Sequence, residues 1–143
     1  DGDVVGITGP GGGDAGEADW YLLAGDETAL PAIGRIIENL PANVKVVARI
    51  EVDNPSEEQS LQAGCELDLQ WLHRNGAEAG TTTMLEDAVK SVRLPSNGER
   101  IFIWSGSEFN AFKAIRKYVR KDLKLDRKQH LIVSYWRRGV VGE

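Results

Sequence analysis

The chain has 143 residues, of which 41% are hydrophobic and 27% charged, and its net charge is −5 at pH 7. This length and composition fit one globular domain, and no apolar run reaches the ~20 residues that cross a bilayer, so we expect no membrane insertion. The acidic balance argues against nucleic-acid binding, and a single cysteine (Cys65) favours a reducing, cytoplasmic compartment.

The first residues, 1–18, are rich in glycine and aspartate. Only Val4, Val5 and Ile7 could form a short strand there, because Pro10 and three glycines follow them and oppose regular structure. We therefore expect this segment to be a lead-in from something upstream and the folded domain to span residues 19–143.

From Trp20 onwards, strand and helix patterns alternate. Continuous apolar runs or period-two alternation predict strands at 20–24, 45–52, 66–71, 100–104 and 130–136. Helical spacing of apolar residues predicts helices at 28–40, from 83 onwards, and at 107–123. This order predicts an α/β fold with a doubly wound, five-stranded parallel sheet, in which ligands bind beyond the carboxyl ends of the strands.

The turn after the first predicted strand is a candidate phosphate site. Gly25 permits a sharp turn and a close approach of a ligand, and Thr28 is placed to cap the following helix. The helix dipole and the first amides would then attract a pyrophosphate, and Pro31 suits the first helical turn. Asp26 and Glu27 favour an ordinary capped turn instead, since carboxylates repel phosphate unless they point away.

A second glycine-containing turn follows the fourth predicted strand, at Ser105, Gly106, Ser107 and Glu108. Ser107 is a natural N-cap and Glu108 suits a first helical turn. One ligand could span both turns, because they share one edge of the sheet; a plain capped helix is the alternative.

The end of the second predicted strand carries Arg49 and Glu51. Glu51 lies 26 positions after Gly25, near the ~20-residue spacing of an acid that binds adenine-ribose hydroxyls. An acid there disfavours a 2′-phosphate, whereas Arg49 could accept one. NADH and NADPH therefore both remain open, as does the alternative of two solvated charges.

The charge is unevenly divided along the chain. Residues 1–100 hold 7 Lys/Arg against 18 Asp/Glu, a balance of −11, and residues 101–143 hold 10 against 4, a balance of +6. Most of the late cations fall in and just after the last predicted helix: Lys113, Arg116, Lys117, Arg120, Lys121, Lys124, Arg127 and Lys128. They form either a solvated helix face or a docking surface for an acidic protein or electron-transfer partner.

Trp136, Arg137 and Arg138 directly follow the last predicted strand, on the same ligand edge. An aromatic ring beside two guanidinium groups could stack on a ring or hold a carboxylate-rich ligand, and a frayed basic tail is the alternative. His73, His130 and Cys65 are scattered along the chain, so we predict no metal site and no catalytic residue of the chain's own.

Several of these segments together closely resemble one known family. The run from Ala18 to Ile33 (ADWYLLAGDETALPAI) resembles the signature of the siderophore-interacting proteins. The resemblance continues in order through later segments, which are Ile50–Val52, Trp71–Arg74, Trp104–Glu108 and Ser134–Gly139. These proteins are flavin-dependent ferric-siderophore reductases of the ferredoxin–NADP reductase superfamily.

The resemblance implies a two-domain protein in which a β-barrel binds FAD and a following doubly wound domain binds NAD(P)H. This chain resembles the second domain, so residues 1–18 would be the end of the barrel and its linker, and FAD is expected only with that upstream domain. The implied activity is electron transfer from NAD(P)H through the flavin to a ferric siderophore, which frees iron as Fe(II). The isolated domain would be inactive alone.

The resemblance also implies roles for particular residues. Gly25–Thr28 would face the coenzyme phosphates, and Ser105–Glu108 would correspond to the nicotinamide-side turn, where the superfamily usually has Cys-Gly-Pro. Trp136–Arg138 would lie near the flavin and the anionic ferric siderophore. The expected partners are therefore NAD(P)H, the ferric siderophore and the upstream flavin domain.

Overall fold

The computed structural model describes residues 17–139. The short strand predicted around Val4–Ile7 lies outside these residues, as does most of the predicted lead-in. Within residues 17–139, no helix is long and apolar enough to cross a membrane.

Five strands and three α-helices form the described part of the chain. The strands are β1 (Trp20–Asp26), β2 (Lys45–Val52), β3 (Glu66–His73), β4 (Ile101–Glu108) and β5 (His130–Trp136). The helices are α1 (Leu30–Asn39), α2 (Met84–Ser91) and α3 (Phe109–Lys117). Short 3₁₀ turns occupy Glu27–Ala29 and Pro55–Glu57, and a π turn at Tyr118–Asp122 extends α3.

The strands form one parallel sheet in the order β3-β2-β1-β4-β5. The chain builds outward from β1 to β3, then returns to place β4 on the other side of β1. The strand order therefore reverses between β1 and β4, which is the topological switch point of a doubly wound fold. The predicted fold class is confirmed.

Helices cover both faces of the sheet. On one face, Leu23 and Tyr21 of β1 pack with the apolar side of α1, which carries Ile33 and Ile37. On the other face, Leu22 packs in a second core with residues of α2 and α3, namely Leu85, Val89 and Ile115. β1 is buried along its whole length because it lies between these two cores.

Three strands run further than the sequence pattern predicts. β1 continues to Asp26 instead of residue 24, β3 to His73 instead of residue 71, and β4 to Glu108 instead of residue 104. β1 and β4 pair through Gly25 and Gly106, so the backbone of both predicted turns belongs to the parallel ladder. The last helix is correspondingly shorter than predicted, beginning at Phe109 and passing into the π turn at Tyr118.

Gly25 is required by packing within the protein. A Cβ atom at this position would lie 2.8 Å from the Ala29 Cβ and 2.8 Å from the Gly106 carbonyl oxygen. Real Cβ atoms do not approach backbone oxygens so closely, so a side chain here would push β1, β4 and the start of α1 apart. Because Gly25 has no side chain, β1, β4 and the start of α1 can pack closely at the switch point.

We expect Gly25→Ala to lower the free energy of unfolding by about 1–3 kcal/mol, because the added methyl group overpacks a rigid contact. Urea unfolding followed by tryptophan fluorescence measures the change. Gly64→Ala is the matched control, since a Cβ there meets nothing within 4 Å, and it should change stability by less than about 0.5 kcal/mol. Equal stability of the two variants would contradict the packing role of Gly25.

Candidate functional site

The Asp26 carboxylate joins the ends of three strands at the switch point. It is 5% exposed, and its Oδ2 accepts hydrogen bonds from the Glu108 backbone N–H (3.0 Å) and the Trp136 indole Nε1–H (2.9 Å). Its Oδ1 accepts from the Thr28 backbone N–H (3.0 Å) and from the Thr28 hydroxyl. These donors come from β4, β5 and the 3₁₀ turn, so Asp26 is directed into the protein.

The structure corrects the predicted helix cap at Thr28. Asp26 caps the 3₁₀ turn, Ala29 is the N-cap of α1, and Ala29 makes no side-chain capping bond. The Asp26 carboxylate acts as the cap because it accepts hydrogen bonds from both the backbone N–H and the hydroxyl of Thr28. Thr28 itself is exposed, and Pro31 lies in the first turn of α1 as predicted.

A buried arginine, Arg74, neutralises the next acid of the turn. Its guanidinium group donates to both carboxylate oxygens of Glu27, at 3.0 and 2.7 Å, and to Oε2 of Glu51 at 3.1 Å. The Arg74 side chain is only 5% exposed, and its Nε–H also donates to the Ala77 carbonyl oxygen. Arg74 therefore ties the loop after β3 to the ends of β1 and β2.

The two acids bound to Arg74 respond differently to their surroundings. Hydrogen bonds from Arg74 hold the pKa of Glu27 below its ordinary value, and they outweigh the partial burial of this carboxyl. Burial raises the pKa of Glu51, even though Arg74 acts in the opposite direction. The ionised form of Glu27 thus stabilises the fold, whereas burial makes the ionised form of Glu51 unfavourable in the folded state.

Glu108 links α3 to the segment after β5. Its Oε1 accepts a hydrogen bond from the Asn110 backbone N–H (2.8 Å), and its Oε2 accepts from the Arg138 backbone N–H (3.0 Å). Glu108 therefore caps α3, and the N-cap predicted at Ser107 is wrong: the Ser107 hydroxyl is buried and donates to the Glu108 carbonyl oxygen. A register shift between Ser107 and Glu108 turns the Glu108 carboxylate toward this cap.

The other residues of the second turn are also buried. Ser105 is fully buried, and its hydroxyl has no hydrogen-bond partner among residues 17–139. A Cβ at Gly106 would lie 2.9 Å from the rings of both Trp104 and Tyr135. The close approach that this glycine permits is therefore made by the protein's own aromatic rings.

Trp136, Arg137 and Arg138 have separate surroundings. The Trp136 indole bonds to Asp26, whereas the Arg137 guanidinium lies 4.6 Å from the centre of the Phe109 ring. The Arg138 guanidinium pairs with Glu78 at 3.1 Å, and its side chain is 47% exposed. Only Trp136 of the three points its side chain into the switch point, while both arginines lie exposed beside it.

Arg49 stands apart from this network. Its guanidinium donates to the carbonyl oxygens of Ala48 and Asp68, at 2.9 and 3.1 Å, and lies 3.4 Å from the Asp68 carboxylate. It lines a groove of about 470 Å³ between β2, β3 and α2, together with Gln70 and Met84. The charge of Arg49 is thus already partly neutralised by the protein.

Five of the sequence-predicted site residues form two groups at the edge of the sheet where the carboxyl ends of the strands lie. Asp26, Glu108 and Trp136 share one hydrogen-bond network, and Glu27 and Glu51 share Arg74. Nothing in the sequence pattern indicates the role of Arg74 except its place directly after β3, in the segment Trp71–Arg74. Among residues 17–139, no group of three or more His, Cys, Asp or Glu is placed to hold a metal ion.

The opposite pKa directions of Glu27 and Glu51 give a paired prediction. At pH 7, Glu27→Gln should lower the free energy of unfolding by about 1 kcal/mol, because a partly exposed ion pair is lost. Glu51→Gln should leave stability unchanged or raise it, because a raised folded pKa means that its ionised form costs stability at neutral pH.

The same pair has an expected pH dependence. The contribution of Glu27 is present above its ordinary pKa of 4.5 and is lost as the pH falls through its lower folded value. The stability gap between wild type and Glu27→Gln should therefore close in acid, as measured by urea unfolding at pH 7 and at decreasing pH. Equal destabilisation by the two variants at pH 7 would refute this assignment.

The comparisons with known proteins agree on one family. The sequence pattern of the siderophore-interacting proteins matches residues 18–139. The chain is 30% identical to the ferric vibriobactin reductase ViuB of Vibrio cholerae over 140 residues, covering 96% of this chain and 51% of the relative. It is 36% identical to an uncharacterized protein of Mycobacterium tuberculosis over 152 residues, covering 99% of this chain and 53% of that protein.

Solved structures give the same result. A siderophore utilization protein from T. fusca is 46% identical with a TM-score of 0.80, over 87% of this chain and 47% of that one. The siderophore-interacting protein SipS from Aeromonas hydrophila is 29% identical with a TM-score of 0.74, over 86% of this chain and 48% of that one. The chain spans about half the length of the relatives it matches, and it belongs to the siderophore-interacting protein family.

Proposed function

We propose that this chain is the NAD(P)H-binding domain of a cytoplasmic, flavin-dependent ferric-siderophore reductase, which releases iron by reducing Fe(III) to Fe(II). The observation that carries the proposal is the closed switch point between β1 and β4, where Gly25 pairs with Gly106. Doubly wound sheets bind dinucleotides at this place. The ferric reductase among the relatives supports the redox part of the proposal.

The residues at the switch point fit a dinucleotide phosphate. The two acids that would repel it are engaged elsewhere: Asp26 by neutral donors and Glu27 by Arg74. Thr28 is exposed in the turn that leads into α1, where its backbone N–H and hydroxyl are held by Asp26. A helix N-terminus favours negative charge, so the pyrophosphate would lie against this turn.

The nicotinamide half would lie toward the ends of β4 and β5. NAD(P)H supplies hydride when it is bound, and FAD, which would accept the hydride, is expected only with an upstream domain. Ser105 and Ser107 are fully buried at the end of β4, and Glu108 fixes the backbone of Arg138 after β5. The part of this chain in the reaction is thus to orient the coenzyme and to exclude water.

The segment Trp136–Arg138 would face the flavin and the ferric siderophore. Asp26 holds the Trp136 indole in place, and Glu108 fixes the following backbone through Arg138. Arg137 and Arg138 are exposed at this edge and would attract an anionic ferric chelate. The same aspartate that closes the coenzyme turn therefore also positions the substrate-side segment.

Coenzyme binding is tested with Thr28→Asp. A carboxylate at this exposed position should repel the pyrophosphate and raise the Kd for NADH about tenfold, equivalent to about 1.4 kcal/mol. Quenching of tryptophan fluorescence measures the Kd, since Trp136 lies at the site. Thr28→Asn, a neutral side chain of the same size, is the control and should bind nearly as wild type. An unchanged Kd in Thr28→Asp would count against the phosphate assignment.

We further expect NADH to bind at least about threefold more tightly than NADPH. The adenosine half would lie over the ends of β2 and β3, where Glu51, Asp53, Glu57 and Glu58 outnumber the cations Arg74 and Arg49. A 2′-phosphate would meet net negative charge there. Separate titrations with NADH and NADPH measure the two Kd values. The ratio of these values should approach one near 1 M salt, because the Debye length falls to about 3 Å. Tighter binding of NADPH would contradict this placement.

A further inference from the structure

The outer face of α3 and the π turn carries a groove lined only by cations. Its volume is about 380 Å³, and its lining residues are Lys113, Arg116, Lys117, Arg120 and Lys121. All five are exposed. We call this surface the basic groove. It lies on the solvent side of α3, whose opposite side packs on the sheet through Ile115.

The five cations form one stripe. Their positions follow the spacing i, i+3, i+4, i+7 and i+8, and all five line the same groove across α3 and the π turn. Like charges at this spacing repel one another by a few tenths of a kcal/mol per pair. Apart from the contacts of Lys113 and Arg116 with the Phe109 and Phe112 rings, this clustering of like charges is unfavourable within the chain.

The rest of the described chain does not neutralise the stripe. The ion pairs within residues 17–139 use cations elsewhere in the fold, and none involves a lysine or arginine between positions 113 and 128. Arg120 instead donates from Nε to His130 Nε2 at 3.4 Å, while His130 Nδ1 bonds to the Asp126 carbonyl oxygen. Neutral His130 thereby fixes the position of Arg120 without cancelling its charge.

We propose that the basic groove is a docking site for an acidic helical segment of a partner protein. Carboxylates three and four residues apart on such a helix lie about 5–6 Å from one another, which matches the spacing of the cations on α3. A groove with cations along it accepts a row of side chains, and the electrostatic match would steer the partner into it. The partner is recognised by its charge pattern.

A lipid surface fits these observations less well. The aromatic rings beside the groove, Phe109 and Phe112, are half-buried, and cations lie over them: Lys113 at 5.0 Å, Arg116 at 5.9 Å and Arg137 at 4.6 Å. They are therefore not presented for insertion into a bilayer. A nucleic acid fits less well too, because the chain as a whole is acidic and its other surfaces would repel a long polyanion.

Two fluorescently labelled peptides test the proposal against the 143-residue chain. The first places glutamates at i, i+3, i+4 and i+7 on one side of an alanine-rich helix, and the second has the same composition with the glutamates spread around the helix. Fluorescence anisotropy at low salt should give a Kd at least about fivefold lower for the one-sided peptide, because only it matches the stripe.

Charge reversal within and outside the groove provides the matched variants. Lys117→Glu with Lys121→Glu should weaken binding of the one-sided peptide at least about tenfold. Arg127→Glu with Lys128→Glu changes the net charge equally outside the groove and should weaken it less than about threefold. Both doubles should keep the wild-type affinity for NADH, so the proposal is judged independently of the proposed coenzyme site.

Three results would overturn the proposal. One is equal binding of the two peptides, and another is equal loss of affinity in the two double variants, since either would show a response to net charge alone. The third is tighter binding of phosphatidylglycerol vesicles or single-stranded oligo-dT than of the one-sided peptide, with the same loss in the Lys117/Lys121 double variant. That result would assign the groove to a lipid surface or a nucleic acid.

Discussion

The geometry of the carboxyl edge depends on one buried carboxylate, that of Asp26. A buried charge is costly unless hydrogen bonds replace its water. Here the donors come from the 3₁₀ turn, β4 and β5, so the charge is satisfied only when these parts of the chain are together. Gly25, one residue earlier, lets β1 and α1 approach closely enough for this to happen. The edge is therefore closed by packing and by hydrogen bonding at adjacent positions.

The acids at the ends of β1 and β2 are stabilised by a positive charge. Arg74 lies between Glu27 and Glu51 and pairs with both, whereas Asp26 accepts hydrogen bonds from neutral donors. Burying two acids and one base removes their water, which costs free energy. The lowered pKa of Glu27 and the raised pKa of Glu51 show that this cost falls mainly on Glu51. The acids at the ends of β1 and β2 thus share one positive charge, whereas the carboxylates of Asp26 and Glu108, toward β4 and β5, accept hydrogen bonds from neutral groups.

Hydrophobic periodicity predicted the fold well because burial is a property of whole segments. The bounds of β2 and β5 agree with the predicted strands, and the apolar side of α1 packs as expected. The caps were wrong because Thr28 and Ser107 are good caps in isolation, and only contacts across the fold give the role to Asp26 and Glu108. Arg74 pairs with a residue 47 positions away, a contact that no local pattern encodes.

The same contrast separates the two groups of cations in this molecule. At the carboxyl edge, the buried Arg74 binds two acids of the described chain and holds the loop after β3 in place, whereas Arg138 pairs with Glu78 at the surface. Along α3 the cations are exposed, and their contacts within the described chain are with rings: Lys113 with Phe109, Arg116 with Phe112 and Arg120 with His130. The cations concentrated late in the sequence thus form an exposed basic surface that can attract an acidic partner. This surface is distinct from the edge where the coenzyme would bind.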